Sequence, residues 1–250
     1  MFNIVTVQKP AEQALRQDGL SLLLPADIAP TLQLPEPQWP HAWHALSESW
    51  ERLPPDAHLK DGGHYRRRRH ACFVHDTGSG ELTQTPHRAH WQPTDYNALH
   101  GGFERWFEPV EPAVAEAPAW TDLLSHFGAL FAQVKPVARW YIEAHQFRIE
   151  TAGGVGRPTP EGAHRDGVDF VVVLLVARRG VKGGETRVFD ANGPQGVRFV
   201  MQEPLTALLL DDERVIHETT PIFPADGQEP EDGVRDTLVL TYRAGGFQAP

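Results

Sequence analysis

The feature that most constrains the fold is a short polar block followed at once by a fully apolar run. Residues Phe170 to Val176 are seven consecutive apolar residues, five of them Val or Phe. Such a run is typical of a β-strand that is buried on both faces. The block before it, Glu161 to Gly167, reads EGAHRDG and contains His164 and Asp166. The sequence therefore predicts polar side chains held at the mouth of a buried strand.

His164 and Asp166 have the spacing of two metal ligands on one strand. Alternate residues of a strand point to the same face, so both side chains can reach one ion. The pair alone is weak evidence, because in a chain with 13 His and 33 acidic residues about one or two such pairs arise by chance. His164 is, however, the only histidine here with an acid two positions later. Its place beside a buried strand favours a metal site.

Two further groups complete a possible site. His217 lies in a second strand-like stretch, where an isolated histidine is more often a half-buried structural residue. Arg235 follows it and shares a strand face with Thr237. Two His and one Asp on one side of a ferrous ion leave three positions open, for a chelating cosubstrate and dioxygen. A dicarboxylic cosubstrate must bury its far carboxylate, which the bidentate fork of an arginine can pair.

Together these residues carry a resemblance to a known family. The shared blocks are HQFR at 145–148, PTPEGAHRDGVDF at 158–170, GGET at 183–186, His217 and RDT at 235–237. Over about residues 60 to 245 the chain resembles the bacterial iron(II)/2-oxoglutarate dioxygenase family that includes free L-isoleucine hydroxylases and the biofilm, stress and motility protein group. The EGxHxDG block is the most specific part of the match.

The resemblance implies a fold, a site and a reaction. The fold would be mainly β, a double-stranded β-helix or jelly-roll barrel with flanking α-helices and the iron at its open end. By resemblance, His164, Asp166 and His217 would hold catalytic Fe(II), while Arg235 and Thr237 would bind 2-oxoglutarate. Dioxygen and 2-oxoglutarate would be consumed, succinate and carbon dioxide released, and a small substrate hydroxylated. The hydroxylase members of the family indicate a free aliphatic L-amino acid as that substrate.

Charged residues near the ligand block are candidates for binding a zwitterionic substrate. We expect Arg148 or another arginine of the pocket to hold the carboxylate, and Glu161 or Asp169 to hold the ammonium group. Glu161 can equally be structural, and Arg148 can equally lie on an edge strand with solvated polar groups. The glycine-rich loop from Gly153 to Pro158 leads into the ligand block, where it can cover the substrate.

Two other function classes remain open on the residues alone. A metal-dependent hydrolase can use two His and one Asp to activate water, but it does not need an arginine and a threonine like Arg235 and Thr237. A non-catalytic protein of stress response or biofilm formation could keep the fold, but it would be expected to lose a ligand, and all three are present.

Length and charge bound the organisation and the partners. At 250 residues the chain suits a single domain, with an amino-terminal extension over residues 1–60 and a jelly-roll core over about 60–250. A net charge of -10 argues against nucleic acid and favours a small-molecule partner. The run Arg66 to Arg69 is a local exception, typical of a solvated or barrel-rim position. Because strand residues alternate, two of these arginines at most can address one ligand.

Cysteine content and apolar runs bear on the compartment. The single cysteine, Cys72, excludes an intramolecular disulfide and a Cys-Cys zinc site. Residues Met1 to Thr6 show no basic cluster leading into an apolar run. No apolar run approaches the roughly 18 residues of a membrane span. These features predict a cytoplasmic protein without a membrane partner, and they carry no information on oligomeric state.

Two helices are predicted outside the strands. Residues His41 to Leu53 place Trp43, Leu46 and Trp50 at helical spacing before a Pro-Pro pair. Residues Trp120 to Val134 carry an apolar stripe that ends before Pro136. We expect both helices to pack on the barrel.

Overall fold

The computed structural model describes residues 9–97 and 99–250, so the prediction about Met1 to Thr6 lies outside the described residues. The helices are α1 (Ala11–Asp18), α2 (Pro25–Leu32), α3 (Gln38–Ser47), α4 (Pro112–Ala115) and α5 (Pro118–Val134), with 3-10 helices at Glu48–Arg52 and Pro230–Asp232. The strands are β1 (Leu20–Leu23), β2 (Arg66–Asp76), β3 (Leu82–Gln84), β4 (Arg139–Glu150), β5 (Phe170–Arg179), β6 (Val181–Gly183), β7 (Thr186–Asp190), β8 (Gly196–Phe199), β9 (Ala207–Asp211), β10 (Val215–Thr219), β11 (Ile222–Pro224) and β12 (Val234–Arg243).

The strands form a large antiparallel sheet and a smaller one. The major sheet has seven strands in the order β1-β9-β5-β12-β4-β2-β3. The minor sheet consists of the ladders β10-β7-β8 and β11-β6, whose register continues without a break from Thr219 opposite Thr186 to Ile222 opposite Gly183. Isolated bridges from Gly156 to Ile222 and from His164 to His217 extend this sheet by one more edge. The predicted mainly antiparallel β architecture is confirmed.

Strand β5 is buried on both faces, as its apolar run predicts. Val171 and Leu175 belong to a cluster with Val188 of the minor sheet, so they fill the space between the two sheets. Val172 and Leu174 belong to a second cluster that includes the helices. Because β5 contributes to both clusters, the major sheet has the barrel interior on one side and a helical layer on the other.

The helical layer covers the outer face of the major sheet. In α5 the predicted apolar stripe is buried, and the ring of Phe131 stacks on Phe170 of β5 with centroids 4.4 Å apart. The other predicted helix starts earlier, at Gln38, because Pro40 fits the first turn of a helix, and its end tightens into the 3-10 helix Glu48–Arg52. Trp50 of that 3-10 helix is fully buried, and its indole Nε1 donates to the carbonyl of Thr237 over 3.2 Å.

Across residues 9–97 and 99–250, no helix combines the length and the apolar character that crossing a membrane requires.

Candidate active site

The three predicted metal ligands lie together at one end of the barrel. His164, Asp166 and His217 each offer a ligand atom, and these atoms all lie within 4.8 Å of one another. Nε2 of His164 is 3.8 Å from Oδ1 of Asp166, and Nε2 of His217 is 3.8 Å from Oδ2 of the same carboxylate. Atoms that bind one ion at about 2.0 to 2.2 Å lie roughly 3 to 4 Å apart. The separations therefore suit a single metal ion.

The backbone that positions these ligands is a bridge and a turn. His164 and His217 exchange two backbone hydrogen bonds, of 3.0 and 2.9 Å, which sets the imidazoles side by side. Asp166 lies outside β5, so the prediction that strand alternation positions it is wrong. Its turn is held by the buried carboxylate of Asp212, which accepts hydrogen bonds from the amides of Asp166 (3.0 Å) and Gly167 (2.8 Å). His164 and Asp166 are thus positioned by contacts with residues that are distant in sequence.

The hydrogen bond of His164 and the electrostatic surroundings of both imidazoles fit a site for a divalent cation. The carbonyl of Gly162 can only accept, so Nδ1 of His164 donates to it over 3.0 Å and the lone pair of Nε2 is left towards Asp166. Burial lowers the pKa of His164, but the carboxylates of Asp166 and Glu161 outweigh it, so the pKa is raised overall. Burial, with His164 nearby, lowers the pKa of His217 to about 4. Two imidazoles and one carboxylate are a donor set that fits Fe(II).

Arg235 lies deep in the same cavity. It is 3 % exposed, and its Nε and Nη2 have no hydrogen-bond partner among the described residues. Burial, followed by the charge of Arg178, lowers the pKa of Arg235 to about 10. An unpaired buried guanidinium is costly, which a bound carboxylate relieves. Thr237 is buried on the same wall of the cavity and adds a hydroxyl group.

All five predicted groups line one cavity of about 120 Å³. The cavity is lined by β2, β4, β5 and β12 of the major sheet, by β10 of the minor sheet and by the segments 90–105 and 158–166. A larger groove, of about 840 Å³, runs between α1–β1 and β7–β8, but none of the predicted ligands lies in it. We therefore assign the site to the smaller cavity on chemical grounds.

The comparison with protein families decides the class. A family model described as 2OG-Fe dioxygenase matches residues 47–241. The chain belongs to the 2OG-Fe dioxygenase family. The crystal structure of a bsmA homolog from Methylobium petroleophilum PM1 is 58% identical to this dioxygenase over 96% of this chain and 94% of that chain, with a TM-score of 0.89. No curated protein matches the sequence.

More distant structures confirm the jelly-roll fold. The crystal structure of IDO from Bacillus thuringiensis is 15% identical and covers 94% of both chains with a TM-score of 0.73. The Fe(II)/(alpha)ketoglutarate-dependent dioxygenase TqaL is 20% identical, covers 93% of this chain and 85% of that chain, and has a TM-score of 0.70. The predicted family, the dioxygenase class and the dependence on Fe(II), 2-oxoglutarate and dioxygen are confirmed.

Two of the predicted substrate-reading residues of the dioxygenase lie outside the cavity. Phe147 and Ile149 line the cavity, so Arg148 between them faces the helical layer. Its guanidinium is hydrogen-bonded to Asp236 over 2.8 and 2.7 Å and to Glu51 over 2.6 and 2.8 Å. The carboxylate of Asp169 is paired with Lys135 and accepts the amide of Ala244. The predictions for Arg148 and Asp169 are thus corrected, whereas Glu161 does line the cavity.

Arg148 is expected to act on stability rather than on substrate binding. Arg148→Met leaves the buried carboxylate of Asp236 without its cation, which costs roughly 3 to 5 kcal/mol of unfolding free energy. Urea unfolding monitored by circular dichroism measures this loss. Arg179→Met is the control, because Arg179 pairs with Glu51 at the surface, where ion pairs contribute at most about 1 kcal/mol. Equal losses in both variants would contradict the assignment.

Several cavity residues of the dioxygenase were missed by sequence reasoning. Arg66 and Arg68 are 5 % and 4 % exposed and line the cavity, so the expected solvated or rim position is wrong for both. Arg67 and Arg69 face away, in agreement with strand alternation. The sequence shows which of these arginines share a face of the strand, but not which face points into the barrel. Arg105 comes from a connection without a pattern, and no signal pointed to it.

A second group of metal-ligand types forms a hydrogen-bond network. It consists of His70, His90, Glu143 and His145, all buried. Arg68 donates to Nδ1 of His145 over 2.8 Å, so Nε2 of that ring carries the proton and faces Glu143 over 3.7 Å. Nδ1 of His90 is 2.5 Å from Oε2 of Glu143, the distance of a donated hydrogen bond. With two imidazole N–H groups aimed at the carboxylate and a guanidinium beside them, this arrangement is unsuited to a cation.

Buried neutral histidines make the stability of the dioxygenase sensitive to acid. Burial lowers the pKa of His70 to about 3 and that of His100 to about 4. In the unfolded chain both titrate near pH 6.5, so between about pH 6.5 and 4 the unfolded state binds more protons and stability falls as pH falls. Asp212 acts in the opposite sense, because burial and Asp166 raise its pKa to about 7. Glu143, Asp211 and Asp236, whose pKa values burial raises, and His164 act in the same sense as Asp212. We expect the six buried histidines with a lowered pKa to outweigh these groups.

We therefore expect the urea midpoint of the metal-free protein to be lower at pH 5 than at pH 7. Each fully buried histidine contributes about 2 kcal/mol to this difference. The His100→Asn variant should show a smaller difference between the two pH values than the wild type. A midpoint that does not depend on pH would contradict this reading of the buried imidazoles.

Proposed function

We propose that this dioxygenase hydroxylates a small zwitterionic substrate, most simply a free aliphatic L-amino acid. The observation that carries the proposal is the composition of the single cavity of about 120 Å³, which combines the three metal-ligand groups, Arg235 and further charged groups of both signs. The volume is well below the roughly 300 Å³ at which sites for drug-sized ligands begin. This volume favours a small molecule over a macromolecular substrate.

In the proposed site, His164, Asp166 and His217 hold Fe(II), and Arg235 with Thr237 holds the far carboxylate of 2-oxoglutarate. When bound, Fe(II) and 2-oxoglutarate would supply the oxidising chemistry: with dioxygen, 2-oxoglutarate is converted to succinate and carbon dioxide, and the substrate gains a hydroxyl group. The protein itself positions the substrate and excludes water. The buried apolar run of β5 and the backbone bridge between His164 and His217 hold that framework in place.

Glu161 and the apolar walls define where an amino acid would lie. Oε1 of Glu161 is 3.7 Å from Nε2 of His164, so this carboxylate lies beside the metal site. There it would pair with the ammonium group of the substrate. Phe147, Val173 and Val239 line the same cavity and offer contacts to an aliphatic side chain. Pro158 also lines it, at the end of the glycine-rich loop that we expect to cover the substrate. The resemblance to free L-isoleucine hydroxylases supports the same substrate class.

The test is substrate-dependent succinate release in the presence of Fe(II), 2-oxoglutarate and air. Free L-amino acids, their N-acylated forms and dipeptides are compared, and products are identified by mass spectrometry. We expect release with free aliphatic amino acids and a mass gain of one oxygen atom. Activity confined to peptides would refute the amino acid assignment and leave the iron chemistry intact. Substrate oxidation without 2-oxoglutarate consumption would refute the proposed reaction.

A further inference from the structure

The end of the cavity beyond the metal ligands is cationic. Arg66, Arg68 and Arg105 line it and are 5 %, 4 % and 2 % exposed. Each has a buried guanidinium nitrogen that makes no hydrogen bond within the described part of the chain, namely Nη2 of Arg66, Nε of Arg68 and Nε of Arg105. Buried donors of this kind are rarely left unpaired in native proteins. The cavity therefore offers three unused cationic donors.

Within the described residues, Asp56 is the one carboxylate that forms ion pairs with these arginines. Asp56 is hydrogen-bonded to Arg66 over 2.7 Å and is 3.9 Å from Arg68, so one carboxylate serves two guanidinium groups. Arg105 makes no ion pair within the described residues, and its side-chain partner is the neutral amide of Gln92, whose Oε1 accepts from Nη2 over 2.9 Å. Burial, with Arg66 nearby, lowers the pKa of Arg105 to about 10. An anion from outside the chain would complete this site.

Arg68 is held rigidly beside Arg105. Its guanidinium carbon lies 3.6 Å from the ring centroid of Phe107 and 4.3 Å from that of Phe147. Its Nη2 donates to His145. A stacked guanidinium that is fixed before the ligand arrives loses little entropy on binding, so it suits the recognition of a planar carboxylate.

The cationic end is separated from the metal site by one side-chain amide. Nε2 of Gln92 donates to Oδ1 of Asp166 over 3.1 Å, while its Oε1 accepts from Arg105. Two hydrogen bonds through one amide group link Arg105 to Asp166, so an anion bound to Arg105 lies near the metal-ligand group. A small molecule held by its carboxylate at Arg105 would therefore extend its carbon chain towards the iron site.

We propose that Arg105, backed by Arg68, is the subsite for the carboxylate of the primary substrate. The inference rests on the proposed function and narrows it: the substrate must carry a free carboxylate, and its amide or ester is rejected. Arg105 thus takes the place that the sequence assigned to Arg148. Gln92 links the Arg105 guanidinium to the carboxylate of Asp166 through two hydrogen bonds.

The test is calorimetric binding to protein loaded with Mn²⁺ and 2-oxoglutarate under argon, so that no turnover occurs. The twenty free L-amino acids are titrated, and the tightest is compared with its amide. We expect the wild type to prefer the acid by at least about 10-fold. Arg105→Met should weaken binding of the acid by about 10- to 100-fold and bring the ratio of acid to amide near one. Arg105→Lys should keep part of the preference.

Arg69→Met is the control, since Arg69 follows Arg68 in the run Arg66 to Arg69 but faces away from the cavity and donates to the carbonyl of Pro109. It should bind like the wild type. Thermal unfolding and 2-oxoglutarate binding confirm that each variant is folded. The proposal is overturned if no amino acid binds saturably, if the wild type binds acid and amide equally, or if Arg105→Met retains the preference. If 2-oxoglutarate itself fails to bind the wild type, the proposed function falls and takes this inference with it.

Discussion

Asp166→Ala is expected to lower succinate formation from 2-oxoglutarate by about a thousandfold or more. Asp166 is the only carboxylate of the three proposed ligands, and it lies 3.8 Å from each imidazole Nε2. Its loss leaves two neutral donors, which hold Fe(II) weakly and in an undefined geometry. Initial rates of succinate formation, measured by mass spectrometry at saturating Fe(II), give the size of the effect.

The matched control for Asp166→Ala is Asp226→Asn, which changes an exposed carboxylate that pairs with Lys182. This variant should retain the wild-type rate. A residual rate above about one tenth in Asp166→Ala, with unchanged thermal unfolding, would show that Asp166 is not a ligand and would remove the basis of the metal assignment.

Arg235→Lys is expected to raise the apparent KM for 2-oxoglutarate by about 10- to 100-fold. Lysine keeps the charge but loses the fork that can hold both oxygens of the far carboxylate. Metal affinity should change little, because Arg235 is not one of the three groups that can share an ion. Steady-state kinetics with varied 2-oxoglutarate and a separate Mn²⁺ titration measure the two effects.

Arg179→Lys is the control for Arg235→Lys, because Arg179 lies on the neighbouring strand β5 and pairs with Glu51 at the surface. Its kinetics should match those of the wild type. Parallel losses of 2-oxoglutarate and metal affinity in Arg235→Lys would indicate damage to the fold, and an unchanged KM would exclude Arg235 from the cosubstrate site.

Those parts of the fold that depend on local periodicity could be predicted from the sequence. The apolar run Phe170 to Val176 predicted a strand buried on both faces, and its residues do enter two different core clusters. The stripe from Trp120 predicted α5, and the helix was found from Pro118 to Val134. Both predictions hold because burial of a short segment requires only the right residue types at the right spacing.

The orientation of each strand in the sheet could not be predicted in the same way. Alternation shows which residues share a face, but not which face is the barrel interior. The sequence therefore predicted Arg148 in the cavity. In the structure it faces the helical layer, where it binds Glu51, 97 positions away in the sequence. For the same reason the sequence predicts a rim position for Arg66 and Arg68, whereas both line the cavity.

The supports of the site are also long-range. Asp212 shapes the turn of Asp166 across 46 positions, and Gln92 reaches the Asp166 carboxylate across 74. Neither belongs to a pattern of local spacing, so only the fold shows that they meet. The ligand types themselves were predictable, because the requirement for two imidazoles and one carboxylate comes from the metal and not from the chain.

The iron content of three proteins tests the central claim most directly. Wild type, His217→Ala and His90→Gln are loaded with Fe(II) under argon, desalted and analysed by plasma mass spectrometry. We predict about one iron per chain in the wild type and in His90→Gln, because His90 belongs to the hydrogen-bond network around Glu143, and almost none in His217→Ala. Iron retained in His217→Ala but lost from His90→Gln would contradict the account and move the metal to the other cluster.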